Sequence, residues 1–200
     1  MLSGKEFWAN TGTAFMTRIF LTLASVNGMA LIATFLLGVT SFLRRGVENP
    51  LDPVYQVHFL AGLITAILTL LVHCIIFTYF LGTGRWVKEV GLAYALPDEP
   101  WPKLTRELKR ATFPPALFAM LITIATAAAG TAAQLRAWDW WVHGGLALAT
   151  LLINGWAFTV EYHNVRTNAG VIEAVLRDVD RIRGERGLPP NADALMEDGA

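Results

Sequence analysis

Apolar residues in this chain come in four long runs, and the charged residues fall almost entirely between them. The first run extends from about Phe15 to Leu43, with Arg18, Ser25 and Asn27 among its few polar positions. The second covers about Val54 to Leu81, the third about 115–134, and the fourth about Trp141 to Tyr162. Each reaches the roughly 20 residues that an α-helix needs to cross a bilayer. The pattern therefore predicts an all-α integral membrane protein, a four-helix up-down bundle with a long cytoplasmic extension of its last helix. Residues 14–163 form the four-span bundle in this reading. Residues 1–13 form an interfacial lead-in carrying Phe7 and Trp8, 164–186 a cytoplasmic amphipathic helix, and 187–200 a disordered tail.

The polar connections refine this picture. GVENPLDP, after Arg44 and Arg45, suits a turn outside the hydrocarbon. Residues 82–112 read as a polar hairpin broken at PDEPWP. Its second arm, KLTRELKR, presents Leu104 and Leu108 on one face and is expected to lie on the surface. Pro114 and Pro115 then open the third span from its first turn, where proline is tolerated. That span ends in ATAAAGTAAQ, small residues that let helix backbones approach closely. Beyond Tyr162 no breaker intervenes, and Ile172, Val175, Leu176, Val179 and Ile182 recur at helical spacing. Two leucines of the hairpin cover only part of this stripe. The rest predicts an intermolecular contact with a second copy or another membrane subunit.

Composition agrees: 54% of residues are hydrophobic and 16% charged, where soluble domains carry about a quarter charged. The net charge is zero, and with no nucleic-acid motif the expected surroundings are the lipid bilayer and other protein, not nucleic acid. The first run is about twice the length of a 7–15-residue signal core, so it is expected to remain as an anchor. Cys74 is the only cysteine, which excludes an intrachain disulfide, and inside an apolar run it reads as a small packed hydrophobe. With the N-terminus in the cytoplasm, the segments on that side hold thirteen Lys and Arg residues; the far side holds three, Arg44, Arg45 and Arg136. This positive-inside bias predicts a bacterial inner membrane protein with both termini cytoplasmic.

Candidate chemistry rests on polar groups within the spans. All four histidines, His58, His73, His143 and His163, lie on the second and fourth runs or at their ends. On parallel helices His58 and His143 are expected near the outer surface and His73 and His163 in the inner half, and two such levels resemble the two-haem arrangement of b-type cytochromes. His58 and His73 are separated by about 22 Å of rise and about 60° of rotation, which suits two cofactors on one side. His143 and His163, separated by about 30 Å and about 200°, point to nearly opposite faces, which argues against two simple bis-histidine sites. His58 and His143 also suit the plainer role of interfacial residues at helix starts. His73 lies deeper. Asn27, Tyr79, Glu161 and His163 are expected to converge with it in the inner half, a set suited to ligating haem through His73 and His163, binding a quinone, or relaying protons. The plainer alternative is that these groups bond to one another and fix helix register.

Gly82-Thr83-Gly84-Arg85 lacks the third glycine and preceding strand of a phosphate loop, and is better read as a helix leaving the bilayer beside headgroup anchors. No zinc-protease motif, serine nucleophile elbow or paired-aspartate site occurs, so no catalytic residue is predicted. LVHCIIFTYFLGTGRWVKEV and FTVEYHNV resemble stretches of bacterial four-span membrane proteins, a resemblance that covers the second span and the start of the last helix's extension and implies no activity. Two functions follow as expectations. One is a small membrane subunit of a redox or respiratory complex, working through b-type haem or a quinone. The other is a cofactor-free structural or assembly subunit. A transporter fits less well, with no inverted repeat or broken helix evident.

Overall fold

The computed structural model describes residues 4–46, 49 and 51–191, with side chains from 16 onward. Four α-helices account for nearly all of it: α1 (Gly4–Leu43), α2 (Pro53–Ala93), α3 (Trp101–Gln134) and α4 (Trp140–Glu185). There is no strand among the described residues. All four helices are long and apolar enough to cross a membrane. Their outer faces are correspondingly apolar, with Leu36, Ile67, Phe118 and Leu152 more than half exposed, more apolar surface than a soluble monomer presents. Cys74 is on that outer surface too, exposed and not packed inside.

The helices are longer than the apolar runs. α1 begins at Gly4, so the lead-in is helical. α3 is one helix from Trp101 through Pro114 and Pro115, not a surface helix followed by a separate span. Proline's fixed φ fits a helix, and the cost is the two N–H donors it removes from the preceding turn. α4 runs unbroken to Glu185. The tail beyond Asn191 lies outside the described residues.

The chain divides into two compact units. The first comprises Leu21–Phe77 and Thr112–Glu161. Its interior is held by polar pairs between helices. Thr34 of α1 meets Thr65 of α2 at 3.0 Å, and Thr126 of α3 meets Thr150 of α4 at 2.6 Å. Asp52 caps α2, accepting from the backbone N–H groups of Val54 (2.9 Å) and Tyr55 (3.1 Å). Its other oxygen accepts from the Arg44 guanidinium at 2.9 Å.

The second unit comprises Met1–Phe20, Thr78–Ala111 and Tyr162–Ala200. Here the stripe on α4 finds cover within the chain. Val175 and Val179 are 1% and 3% exposed, and Phe80, Val87 and Leu108 are buried in the same unit. α2 continues past the apolar run and carries Val87, 1% exposed, into this unit. Only Ile172, Leu176 and Ile182 stay half-buried. Trp101 donates its indole N–H to Asp178, and Arg183 donates to the Tyr94 hydroxyl, tying α4 to the ends of α3 and α2.

The Arg44 hydrogen bond holds the Asp52 carboxyl below the usual carboxylate range. A carboxyl lowered on folding stabilises the fold fully above its unfolded value, and that contribution disappears as pH falls through the folded value. Asp52→Asn keeps an oxygen for the cap but loses the ion pair, so its melting temperature should lie below wild type at neutral pH and converge with it in acid. Asp52→Ala, which loses the cap too, should melt lower still. Thermal melting in detergent across pH checks both, and a gap between wild type and Asp52→Asn that widens in acid would contradict the assignment.

Candidate functional site

Two helix pairs of the first unit each build half of a cavity of about 500 Å³. α2 contributes His58 and α4 contributes His143, both half-buried. Their ring centres stand 6.1 Å apart with the planes at 66°. Each ring is held in the same way. His58 Nδ1 donates to the Thr34 carbonyl of α1 at 3.1 Å, and His143 Nδ1 donates to the Thr126 carbonyl of α3 at 3.0 Å. Donation from Nδ1 fixes the tautomer, leaving the lone pair on Nε2 of both rings.

The backbone around the rings is open by necessity. One turn beyond Thr34 comes Gly38, where a Cβ would fall 2.8 Å from His58 Cε1. One turn beyond Thr126 comes Gly130, where a Cβ would fall 2.9 Å from His143 Cε1. No side chain fits at either position without moving an imidazole.

Among the described residues no group of three or more His, Cys, Asp or Glu side chains could hold a metal ion. The cavity lies in the range of small-molecule and cofactor sites, about 300–1,000 Å³.

His73 sits elsewhere on α2, completely buried. Its Nδ1 lies 2.7 Å from Glu161 Oε1, and its Nε2 lies 3.0 Å from Asn154 Oδ1. Asn154 gives its N–H groups to the Thr150 carbonyl and Thr123 Oγ1, so its oxygen is the atom facing His73. Both ring nitrogens are thus engaged, one by the Glu161 carboxyl and the other by the Asn154 amide oxygen. In this arrangement neither nitrogen is available to a metal. The ring also stacks on Phe158, centres 5.1 Å apart. Asn27 is buried in the same unit, its Oδ1 accepting from the Thr69 hydroxyl at 3.1 Å, one turn before His73. Of the residues expected to converge, Asn27, His73 and Glu161 thus belong to the first unit. Tyr79 and His163 belong to the second. There Tyr79 accepts from Asn168, and His163 is exposed.

A repeat that sequence reasoning missed underlies both levels. α1 and α3 each carry Thr-x-x-x-Gly, at Thr34/Gly38 and Thr126/Gly130. α2 and α4 each carry His followed seven residues later by Thr, at His58/Thr65 and His143/Thr150. At the same offset between α2 and α4, Thr69 corresponds to Asn154 and His73 to Phe158. The readable signal was the paired motif at matching spacing, which reading each span alone does not reveal.

The His73–Glu161 pair generates a stability prediction. Removing one partner leaves the other's buried polar group unmet, so His73→Ala should cost about 1–3 kcal/mol for each group stranded. The double replacement His73→Leu with Glu161→Leu should cost clearly less than the sum of the single variants, because fewer polar groups are stranded. Melting of the detergent-solubilised variants tests this, and small, additive single effects would remove the pair from the account.

Comparison with known proteins finds no matching family model, no matching curated protein and no matching solved structure.

Proposed function

We propose that this protein is a b-type haem carrier of the bacterial inner membrane, the electron-transferring subunit of a redox complex. The observation that carries this reading is the pair of imidazoles, 6.1 Å between centres, with both Nδ1 atoms anchored on helix carbonyls. His58 and His143 would hold the haem, and Gly38 and Gly130 would give it room. When bound, the group supplies a reversible one-electron couple. The chain's own residues supply the rest. Thr34 and Thr126 orient the ligands through their carbonyls, which also makes each Nε2 a better donor. Two imidazoles and an apolar cavity would hold the group for electron transfer rather than bond-making chemistry. Phe42 and Trp140 stack at 4.2 Å among the residues lining the cavity, an aromatic rim that would keep water from the bound group.

Orientation and topology belong to the same proposal. Contacts between α1 and α2 run in opposite chain directions, Asn27 with Thr69 and Thr34 with Thr65. α3 and α4 do the same, Thr123 with Asn154 and Thr126 with Thr150. These pairings support an up-down bundle. The charge bias then puts both termini and the α4 extension in the cytoplasm and the His58/His143 level toward the outer surface. Redox partners on that outer side would exchange electrons with the haem across the Phe42/Trp140 rim.

The purified protein should show a reduced-minus-oxidised b-type spectrum with one haem per chain. His58→Ala and His143→Ala should each abolish it, and Gly130→Val should lower haem retention by about 10–100-fold, the range for disturbing the surroundings of a metal ligand. His73→Ala should keep the chromophore in whatever fraction folds. A folded, colourless wild type that takes up no added haem would return the chain to a structural role.

Topology has its own check. Reporters fused after Ala95 and after Gly187 should read cytoplasmic, and one near Asp52 periplasmic. A periplasmic signal from the 82–112 hairpin would invert the proposed sidedness.

A further inference from the structure

The second unit contains a basic pocket of about 430 Å³. α2 lines it with Arg85 and Lys88, and α3 lines it with Arg106 and Lys109. No acidic side chain lines it. Two of the cations are already neutralised from outside: Arg85 by Glu89 at 2.8 Å, and Arg106 by Asp98 through two hydrogen bonds of 2.8 and 2.6 Å. Lys88 and Lys109 have no acidic partner within 4 Å among the described residues. Lys109 is half-buried, so part of its hydration is already lost.

An orphaned hydroxyl points to the same occupant. Most threonines in these helices donate to the carbonyl one turn back, as Thr40, Thr69, Thr83, Thr123 and Thr131 do. Thr105 does not. It lines the pocket, is 1% exposed, and its Oγ1 has no hydrogen-bond partner among the described residues. A buried, unmade hydroxyl bond is costly, and an anionic oxygen beside it would satisfy it. The helices are close here: a Cβ at Gly84 would stand in ordinary packing contact with Thr105 Cγ2, at 3.6 Å.

Position along the helices selects the ligand. On α2 the pocket begins at Leu81, where the apolar run ends; on α3 it ends at Lys109, just before the apolar run that starts at Phe113. The pocket is therefore level with the bilayer surface, with Leu81 and Pro102 as its apolar wall and the cations beyond. We propose that it binds a phosphate group, and that the phosphate is the headgroup of an acidic phospholipid whose glycerol rests on Leu81. Basic pockets between spanning helices recognise anionic headgroups through this chemistry. The inference is independent of the haem reading and needs only that α2 and α3 span the membrane.

Native mass spectrometry of the full chain, released from nanodiscs of equal phosphatidylglycerol and phosphatidylcholine, tests it. Phosphatidylglycerol should be retained preferentially. Lys88→Gln and Lys109→Gln should each lower retention by about fivefold, the effect of one basic residue near an anionic surface. Thr105→Val should lower it too, and Lys109→Arg should restore it. Lys103→Gln, a cation of the same hairpin outside the pocket, should change nothing. In a parallel arm, inorganic phosphate is titrated into delipidated protein and followed by phosphorus NMR. Lysine-dependent binding there without any lipid preference would keep the phosphate site but make its source soluble. Equal retention of both lipids with no phosphate binding, or loss in Lys103→Gln equal to that in the pocket variants, would overturn the proposal.

Discussion

A polar group inside hydrocarbon has no water to turn to, so it must find its partner on another part of the chain. The first unit is built around that constraint. Thr34 bonds Thr65, Thr126 bonds Thr150, Asn27 bonds Thr69, and His73 bonds both Glu161 and Asn154. Apolar contacts discriminate little in lipid, because tails are as apolar as leucine. These few directional bonds therefore set which helix faces meet and at what height. The two candidate ligands obey the same rule. His58 and His143 satisfy one nitrogen each on a helix carbonyl, and both rings line the cavity.

The repeat shows how one constraint yields two different levels. At the first level both positions are histidine, both are tethered through Nδ1, and both face a glycine. The result is an open space between two imidazoles. At the second level His73 meets Phe158, a ring that offers no lone pair, and the two stack at 5.1 Å. Asn154, in place of a threonine, takes the Nε2 proton that would otherwise be unmet. The second level is thereby filled by the chain itself. A two-level histidine pattern in the sequence thus resolves into one open level and one whose imidazole is bonded within the chain.

Much of the fold was legible because membrane spans are written in length and composition. The four apolar runs, the continuous last helix and the burial of His73 all follow from periodicity and hydropathy. Pro114 and Pro115 misled, since proline usually marks a helix start, whereas α3 continues through both. The α4 stripe misled as well: it reads as exposed apolar surface, yet Val175 and Val179 are buried within the chain. The site was legible in part. Counting residues along parallel helices puts His58 and His143 at one level, and their rings stand 6.1 Å apart. The same count pairs His73 with His163, but His73 bonds Glu161 and Asn154 instead, and His163 is exposed. Depth along a helix is written in residue number, whereas the partner a buried imidazole takes depends on which faces meet.

Helix geometry explains why the closed level matters to the open one. On α4, Glu161 lies eighteen residues beyond His143, about five full turns, and Asn154 lies eleven beyond, about three turns and 20°. All three share one face. On α2, His73 is within about 60° of His58. An α-helix is stiff over this length, so fixing its rotation at one height fixes it at the other. The buried pair between His73 and Glu161, with Asn154 as a third contact, locks α2 and α4 in the rotation that turns His58 toward His143. Such a pair adds little net stability once its desolvation is counted, and a well-packed apolar substitute would hold the helices as tightly. What the apolar substitute would lack is direction. An imidazole hydrogen-bonded through both ring nitrogens accepts one register and one rotation, and the same rotation carries His58 and His143 to the level where their rings stand 6.1 Å apart.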